Sequence, residues 1–278
     1  MNDFSHSVFS LLWCSCVRIA PPAPTHPLFV QFTFNIFFIL LLMKTIFITG
    51  CSRGLGLEFT KQFLEKGDKV IASCRTPAKA TTLQKLKQHY PATLSIVKLD
   101  VTNEEDRDAA FKQIQEEFSS IDILINNAGI KSGDEKNLYP LGDVHKEDFM
   151  KVLEINTVAP LLLSEKFLPL LEGSTNAKIV NISSKNGSIA ERNQGGKYSY
   201  CASKAALNMI SKILSNDLRE KGITVLAIEP GWIQTDMGGP DAPITPEEPI
   251  SKIIYLIESI EISETGKFLT RNGDELPW

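Results

Sequence analysis

Tyr200 and Lys204 are the residues whose types and spacing point most directly to chemistry. They stand four positions apart in YSYCASKAALN, a stretch that predicts a helix, so their β-carbons should lie on one face about 6 Å apart. A phenol, with a reference pKa of about 10, is a poor base at neutral pH, but a neighbouring ammonium can lower that pKa by about 1–3 units. The pair therefore predicts proton transfer by Tyr200, assisted by Lys204. Tyr198 competes for this role, but the residue four positions after it is Ala202.

A run of glycines follows the first apolar stretch of the chain. KTIFI leads into TGCSRGLG, where Gly50, Gly54 and Gly56 precede the amphipathic segment LGLEFTKQFLEKG. A strand that ends in glycines and continues as a helix presents free backbone N–H groups and the positive end of the helix dipole. Glycines also leave no β-carbon to keep a phosphate from the backbone. The stretch predicts a pyrophosphate site, although its Gly-x3-Gly-x-Gly spacing differs from the common Gly-x-Gly-x2-Gly pattern.

Two arginines near this turn bear on which dinucleotide is bound. The second predicted strand ends at Cys74 and Arg75, where an acidic residue would have bound the ribose 2′-hydroxyl of NAD. Arg75 can instead pair with the 2′-phosphate of NADP, and Arg53 adds positive charge on the same side. We therefore expect NADP(H) as the cofactor. The competing interpretation is that the glycines only form a tight turn and that Arg75 is a solvated loop residue.

The elements that must position these residues alternate along the chain from Lys44 onward. Apolar runs, most without period-two alternation, predict strands buried on both faces of a parallel sheet, at 44–49, 69–74, 94–100, 121–128, 177–183, 223–230 and 267–270. Amphipathic stretches predict helices at 55–66, 78–89, 104–118, 146–171, 200–220 and 247–260. This order predicts the α/β class, with a single Rossmann-type doubly wound parallel sheet of about seven strands and helices on both faces.

Three longer connections follow the carboxyl ends of predicted strands, where doubly wound sheets bind ligands. They are 131–146, 185–198 and 232–249, and we expect them to form the walls of an active site. Phe149, Trp232 and Met237 indicate that these walls are apolar.

Composition excludes several other classes of function. The 278 residues carry a net charge of -4 with Lys and Arg dispersed, so no basic face for nucleic acid is expected. The five cysteines have no CxxC or His-paired metal spacing, which favours a reduced, cytoplasmic protein without a metal site. They are Cys14, Cys16, Cys51, Cys74 and Cys201.

Residues 1–43 differ from the rest of the chain. Their only fixed charges are Asp3 and Arg18, and they hold seven of the 15 phenylalanines. The apolar run 28–43 has sixteen residues, fewer than the roughly 20 of a membrane-spanning helix, and no basic region precedes it. We expect a non-core extension, disordered or produced by the choice of start codon upstream of Met43, with a weak membrane anchor as the less favoured alternative. A single domain is expected over 44–278.

Several short motifs together resemble the short-chain dehydrogenase/reductase family. They occur in the family's order over nearly all of the predicted domain, as TGCSRGLG (49–56), LDVT (99–102), NNAG (126–129), YCASK (200–204) and PGWIQTDM (230–237). GGKYSYCASKAALN, PGWIQTDMGG and a terminal LPW are similar to the carbonyl-reductase branch that includes the sniffer and C-factor proteins. The resemblance implies an oxidoreductase that moves a hydride between NADP(H) and a carbonyl or alcohol.

The resemblance also assigns roles to individual residues. Ser184, the second serine of ISS, would hydrogen-bond the reacting oxygen, in preference to Ser183 or Ser188. Asn156 would position a water behind Lys204, which would also bind the nicotinamide ribose. Asp100 would accept from the adenine amino group, residues 126–129 would line the adenine ribose, and the segment from Pro230 would hold the carboxamide. The implied cofactor-binding set is Gly50, Ser52, Arg53, Gly54, Leu55, Gly56, Arg75, Asp100, Val101, Asn127, Ala128, Gly129, Tyr200, Lys204, Pro230, Gly231, Ile233 and Thr235.

Two functions remain open on the sequence alone. The leading hypothesis is an NADPH-dependent reductase of aldehydes or ketones, because Asn156, Ser184, Tyr200 and Lys204 are all present. The alternative is an NADP-binding sensor with little or no turnover. Expected partners are a small carbonyl or alcohol and a second copy of the chain, since helices 146–171 and 200–220 resemble those through which family members dimerise. No nucleic-acid or membrane partner is expected.

Overall fold

Seven short strands form one parallel sheet. The computed structural model describes residues 43–131 and 141–278, and every pair of neighbouring strands in it runs parallel. The strand order β3-β2-β1-β4-β5-β6-β7 reverses direction between β1 and β4, which confirms the predicted doubly wound sheet. The strands are β1 (Thr45–Ile48), β2 (Lys69–Cys74), β3 (Leu94–Lys98), β4 (Ile123–Asn126), β5 (Lys178–Ile182), β6 (Thr224–Glu229) and β7 (Lys267–Thr270).

Helices cover both faces of this sheet. Helices α1, α2 and α8 supply Phe59, Leu83 and Ile253 to one apolar core, and helices α5 and α7 supply Leu163 and Leu214 to the other. The helices are α1 (Gly54–Glu65), α2 (Thr81–His89), α3 (Glu104–Glu117), α4 (Lys146–Leu153), α5 (Ala159–Lys166), α6 (Leu168–Leu171), α7 (Tyr198–Asp217) and α8 (Glu247–Ser259).

Burial of both faces of the sheet explains why apolar and polar residues do not alternate along the strands. Along β1, Ile46 and Ile48 pack into the first core, while Phe47 between them packs into the second against Phe167, with 4.7 Å between the two ring centroids. All three strand residues are fully buried. Each such side chain stabilises the fold by about 1.5–3 kcal/mol relative to exposure, so an unbroken apolar run is favoured here.

The segment predicted as one helix over 146–171 is interrupted. Between α4 and α5 the residues Glu154–Val158 form a π-helical turn, in which the Ala159 N–H donates to the carbonyl of Glu154 five residues back. Pro160 has no N–H and cannot donate to the carbonyl of Asn156 as an α-helix requires. The helix is therefore widened at Asn156, a kind of bulge that is frequent at functional sites.

Two predicted helix starts also differ from the structure. Helix α7 begins at Tyr198, two residues before the predicted start, so Tyr200 lies in its first turn. Helix α2 begins at Thr81 because Pro77–Lys79 forms a separate 3-10 turn. The other predicted helices agree with the structure to within one residue at each end.

Some predictions fall outside the described residues. These are the N-terminal extension up to residue 42 and the part of the 131–146 wall at 132–140, so the domain boundary at 43/44 stays a prediction. In the described ranges, no helix is long and apolar enough to cross a membrane.

Candidate active site

The turn after β1 forms a cradle of backbone. Gly50 and Gly54 have φ values of 73° and 59°, in the left-handed region that favours glycine. A β-carbon on Gly56 would lie 2.4 Å from the carbonyl oxygen of Gly50 and 2.6 Å from Nδ2 of Asn127. Arg53, the residue that caps α1, makes no side-chain cap bond, so the first turn of the helix has backbone N–H groups to offer an anion.

Asn127 joins this cradle to the end of β4. Its Nδ2 donates to the carbonyl of Thr49 at 2.7 Å, and the backbone N–H groups of Asn127 and Ala128 both donate to Oγ1 of Thr49 at 3.0 Å. Asn126 does not line the cleft as expected. Its side chain is buried and donates to Oδ1 of Asn181 at 2.8 Å, inside the sheet.

Ser184, Tyr200 and Lys204 lie together at the carboxyl edge of the sheet. The side chain of Ser184 hydrogen-bonds Tyr200, and Nζ of Lys204 lies 5.8 Å from the centroid of the Tyr200 ring. Lys204 is 6% exposed and donates to the carbonyl of Ile182 at 2.7 Å. The sequence therefore identified three side chains that the fold brings together.

The competing serines and tyrosine are placed differently. Ser183 donates through Oγ to Oδ1 of Asn208 at 2.6 Å, and the hydroxyl of Ser188 accepts from the backbone of Glu191 at 3.2 Å. Tyr198 is 39% exposed at the start of α7. Among these candidates, Ser184 and Tyr200 are the two side chains that hydrogen-bond each other.

The protonation state of Tyr200 differs from the sequence-based expectation. Burial of its hydroxyl raises the pKa to about 12, the hydrogen bond with Ser184 lowers the pKa, and the charges of Cys201 and Glu229 raise it. The expected lowering of this pKa by Lys204 is not found, because burial of the hydroxyl dominates the pKa of Tyr200. Burial also lowers the pKa of Lys204 itself, to about 8. Tyr200 is a protonated phenol at neutral pH, which suits a proton donor.

Asn156 connects the widened helix by hydrogen bonds to the segment after β4 and to helix α7. Its Oδ1 accepts from the backbone N–H of Ile130 at 2.8 Å, and its Nδ2 donates to the carbonyl of Ile130 at 2.8 Å and to Oγ of Ser203 at 3.0 Å. Ser203 in turn donates to the carbonyl of Tyr200 at 2.8 Å. The side-chain amide is thus used to hold the Tyr200 backbone, so a water would have to be bound by the main chain of Asn156.

The segment after β6 covers the glycine turn. Cγ2 of Thr235 lies 3.5 Å from the position of a β-carbon on Gly54. Arg53 and Asp236 form an ion pair of 2.9 Å between Nε and Oδ2, with both side chains more than 70% exposed. Sequence reasoning did not anticipate this pair, although Asp236 stands inside the quoted motif PGWIQTDM.

The other residues predicted to bind cofactor line the same edge or support it. Asp100 accepts through Oδ1 from the backbone and hydroxyl of Thr102, at 3.1 and 2.8 Å. Val101 is 8% exposed and packs in the second core, so its backbone rather than its side chain would face a ligand. Arg75 is exposed just after β2. Leu55 lies in the first turn of α1, and the rest lie in the loops after β1, β4 and β6, as Ser52, Gly129, Pro230, Gly231 and Ile233.

The segments predicted to form the walls of the site carry exposed apolar side chains. Ile189 in the 185–198 segment is 77% exposed, Trp232 is 59% exposed and Met237 is 36% exposed. Within residues 43–131 and 141–278, no group of His, Cys, Asp and Glu side chains could hold a metal ion. The site therefore offers an anion cradle, a proton donor and an apolar rim.

Burial of the Lys204 ammonium should make stability depend on pH. Between pH 8 and 10.5 the folded state has released the Lys204 proton that the unfolded chain keeps, so the contribution of Lys204 to the unfolding free energy should rise with pH by about 3 kcal/mol across that window. We expect Lys204→Met to remove this rise and to increase stability at neutral pH. Urea unfolding of both proteins at about pH 7 and about pH 10 measures the unfolding free energy at each pH.

Two comparisons isolate the effect of Lys204. Lys178, whose pKa burial also lowers, contributes equally to both proteins. Lys212→Met changes an exposed lysine on the same helix and should leave the rise intact. Parallel stability curves for wild type and Lys204→Met would contradict the buried-ammonium interpretation.

A parallel sheet whose glycine turn and polar side chains meet at the β1/β4 reversal is the architecture of nucleotide-binding enzymes of the Rossmann type. By fold and site geometry this protein is of that class.

Known proteins with the same pattern narrow the class to one family. Residues 44–243 match the family described as short chain dehydrogenase. C-signal of Myxococcus xanthus is 37% identical over 159 residues, which cover 57% of this chain and 93% of that protein. The chain belongs to the short-chain dehydrogenase family, whose members are oxidoreductases.

Two solved structures show the same similarity in three dimensions. The carbonyl reductase Sniffer of D. melanogaster has a TM-score of 0.80 and 32% identity, covering 85% of this chain and 100% of that one. The NADPH-bound carbonyl reductase from chicken fatty liver has a TM-score of 0.79 and 35% identity, covering 85% of this chain and 99% of that one. The predicted resemblance to carbonyl reductases is confirmed.

Proposed function

We propose that the protein is an NADPH-dependent reductase that converts aldehydes or ketones to alcohols. The observation that carries this proposal is the contact between Ser184 and Tyr200, with Lys204 beside the ring and Tyr200 protonated at neutral pH. A protonated donor beside a nucleotide cradle fits reduction better than oxidation, which needs a base. The NADPH bound by the chicken-liver relative supports the choice of cofactor.

The cradle fits a dinucleotide. The uncapped first turn of α1 would hold the pyrophosphate, and Gly56 leaves no room there for a β-carbon. Arg75 would contact the 2′-phosphate, and Lys204 would reach the nicotinamide ribose. When bound, NADPH supplies the hydride that the carbonyl carbon receives.

The chain's own side chains would handle the substrate oxygen. Ser184 would hold the carbonyl oxygen by a hydrogen bond, and Tyr200 would give its proton to that oxygen as negative charge develops there. The Lys204 ammonium would stabilise the phenolate that Tyr200 becomes. Asn156 would keep Tyr200 in place through Ser203, and the apolar rim would favour substrates with an apolar group beside the carbonyl.

The test is to measure the consumption of NADPH, through the loss of its absorbance, with a panel of aldehydes and ketones. Turnover of apolar carbonyls is expected, with weaker or no turnover of charged ones. Tight NADPH binding without turnover on any substrate would favour the sensor hypothesis.

Arg75→Asp should weaken the binding of NADPH much more than the binding of NADH. The substitution replaces a partner of the 2′-phosphate by a repelling carboxylate, so we expect a loss of NADPH affinity of roughly 10- to 100-fold, while NADH changes little. Lys79→Asp makes the same charge change at an exposed position in the next turn and serves as control. Equal effects of Arg75→Asp on the two nucleotides would remove Arg75 from the 2′-phosphate site.

We also propose a homodimer and a cytoplasmic location. Met150 and Val158 in the α4–α5 region and Met209 and Ile213 on α7 are between 44% and 62% exposed, an apolar surface that a second copy could cover. Sedimentation velocity should give twice the monomer mass, and a monomer at all concentrations would contradict the dimer.

A further inference from the structure

A chain of hydrogen bonds in the 185–198 segment ends on the Ser184 hydroxyl. Oγ of Ser184 accepts from the backbone N–H of Asn186 at 3.2 Å and from the side-chain Nδ2 of Asn186 at 3.3 Å. Oδ1 of Asn186 accepts in turn from Nη1 of Arg192 at 3.1 Å. Asn186 and Arg192 are both half-buried, and the proposed mechanism uses neither. The chain therefore reaches the hydroxyl that is proposed to hold the substrate oxygen.

Arg192 fixes the orientation of the Asn186 amide. An asparagine side chain has a donor end and an acceptor end of nearly equal size, whereas a guanidinium can only donate. Arg192 therefore holds Oδ1 on its own side, which turns Nδ2 toward Ser184. The guanidinium is itself held, because Nη2 donates to the carbonyl of Gly195 at 2.8 Å and to the carbonyl of Gly196 at 3.1 Å.

The turn that carries Asn186 packs against α7. Residues Lys185–Gly187 form a 3-10 turn, and a β-carbon on Gly187 would lie 2.8 Å from the carbonyl carbon of Lys204. A side-chain amide of α7 also donates to the carbonyl of Gly187 at 3.3 Å. Asn186 therefore keeps its position relative to the helix that carries Tyr200.

The two donors of Asn186 decide where the Ser184 proton can go. A hydroxyl has one proton to donate and two lone pairs that accept. Asn186 presents only N–H groups to Ser184, so it offers the serine proton no acceptor. The proton is left for the side of the hydroxyl that faces Tyr200, where the substrate oxygen is proposed to bind.

We propose that Asn186, oriented by Arg192, is a positioning residue that directs the Ser184 proton to the carbonyl oxygen of the substrate. Donors on the serine lone pairs also polarise the hydroxyl and make it a stronger donor. The bond from Ser184 strengthens as negative charge develops on the substrate oxygen, so its effect belongs to kcat. The contribution to catalysis rests on the proposed function, whereas the direction of the proton does not.

Asn186→Asp tests this direction with a nearly isosteric change. The carboxylate keeps Arg192 as its partner but presents an acceptor to Ser184 in place of Nδ2, so the serine proton should turn to the carboxylate. We expect kcat for reduction of an apolar aldehyde to fall roughly 10- to 100-fold with little change in KM, because a donor to the developing charge is lost. Asn193→Asp makes the same charge change at an exposed position of the segment and should alter kcat by less than about 3-fold.

The Ser184→Ala background separates positioning from other effects of the substitution. An effect carried by Ser184 should disappear with that side chain, so Ser184→Ala and Ser184→Ala/Asn186→Asp should agree in kcat to within about 3-fold. A second full loss in the double variant would overturn the proposal. If Asn186→Asp does not fold, Arg192→Lys leaves the amide free to turn, and it should lower kcat about 2- to 10-fold in wild type but not in Ser184→Ala.

Neutron diffraction from deuterium-exchanged crystals gives a readout that needs no turnover. In wild type the deuterium bound to Oγ of Ser184 should point away from Asn186, and in Asn186→Asp it should point to the new carboxylate. A deuterium on Oγ of Ser184 directed at Asn186 in the wild-type protein would overturn the proposal. A protein without any turnover would overturn the reductase function instead, and the deuterium position would still decide the role of Asn186.

Discussion

Tyr200→Phe is expected to abolish carbonyl reduction while NADPH still binds. The substitution removes one oxygen, the proposed proton donor, and leaves the ring beside Lys204. Loss of a positioned acid–base group lowers turnover by roughly 100- to 10,000-fold. The glycine cradle is built from β1, α1 and Asn127, none of which the substitution changes.

The measurement separates chemistry from binding. We expect kcat to fall with little change in KM, and the dissociation constant for NADPH, from nucleotide fluorescence, to stay within about 3-fold of wild type, or less than 1 kcal/mol. Tyr198→Phe is the matched control, because it removes the same atom two residues earlier, from a side chain that is 39% exposed. Comparable losses in both variants, or near-normal turnover in Tyr200→Phe, would remove Tyr200 as the donor.

Gly56→Ala is expected to damage the cradle itself. The new β-carbon would meet the carbonyl oxygen of Gly50 at 2.4 Å and Nδ2 of Asn127 at 2.6 Å. Neither atom can move freely, because Gly50 lies in the left-handed turn and Nδ2 of Asn127 already bonds Thr49. Forcing a methyl group into such a contact destabilises a protein by about 1–3 kcal/mol.

Gly56→Ala should lower the affinity for NADPH as well as the stability. The turn must shift to admit the methyl group, and the backbone N–H groups that would hold the pyrophosphate shift with it, so we expect NADPH affinity to fall at least about tenfold, or 1.4 kcal/mol. Gly195→Ala is the control, since a β-carbon there would have no neighbour within 4 Å. Wild-type affinity together with wild-type urea stability in Gly56→Ala would contradict the cradle as described.

The strands and the main helices could be predicted because their signals are local. In β1, the run of Ile46, Phe47 and Ile48 reports burial on both faces without knowledge of what covers it. Tyr200 and Lys204 could be paired because four residues on a helix place two side chains together.

The remaining features depend on partners far away in sequence. The amide of Asn156 bonds residues 26 and 47 positions away, and the widened turn that presents it could not be inferred from the helical pattern alone. The pKa of Tyr200 was misjudged because the lysine is visible in sequence but the burial of the hydroxyl is not.

The ion pair between Arg53 and Asp236 bears on how nucleotide affinity should respond to ionic strength. An incoming phosphate would not meet a bare guanidinium, because a carboxylate already neutralises it at 2.9 Å. Binding would replace the Asp236 carboxylate by a phosphate as the partner of Arg53. Added salt weakens both the Arg53–Asp236 ion pair and the interaction of Arg53 with the phosphate. Affinity should therefore fall less steeply with salt than a count of nearby arginines suggests.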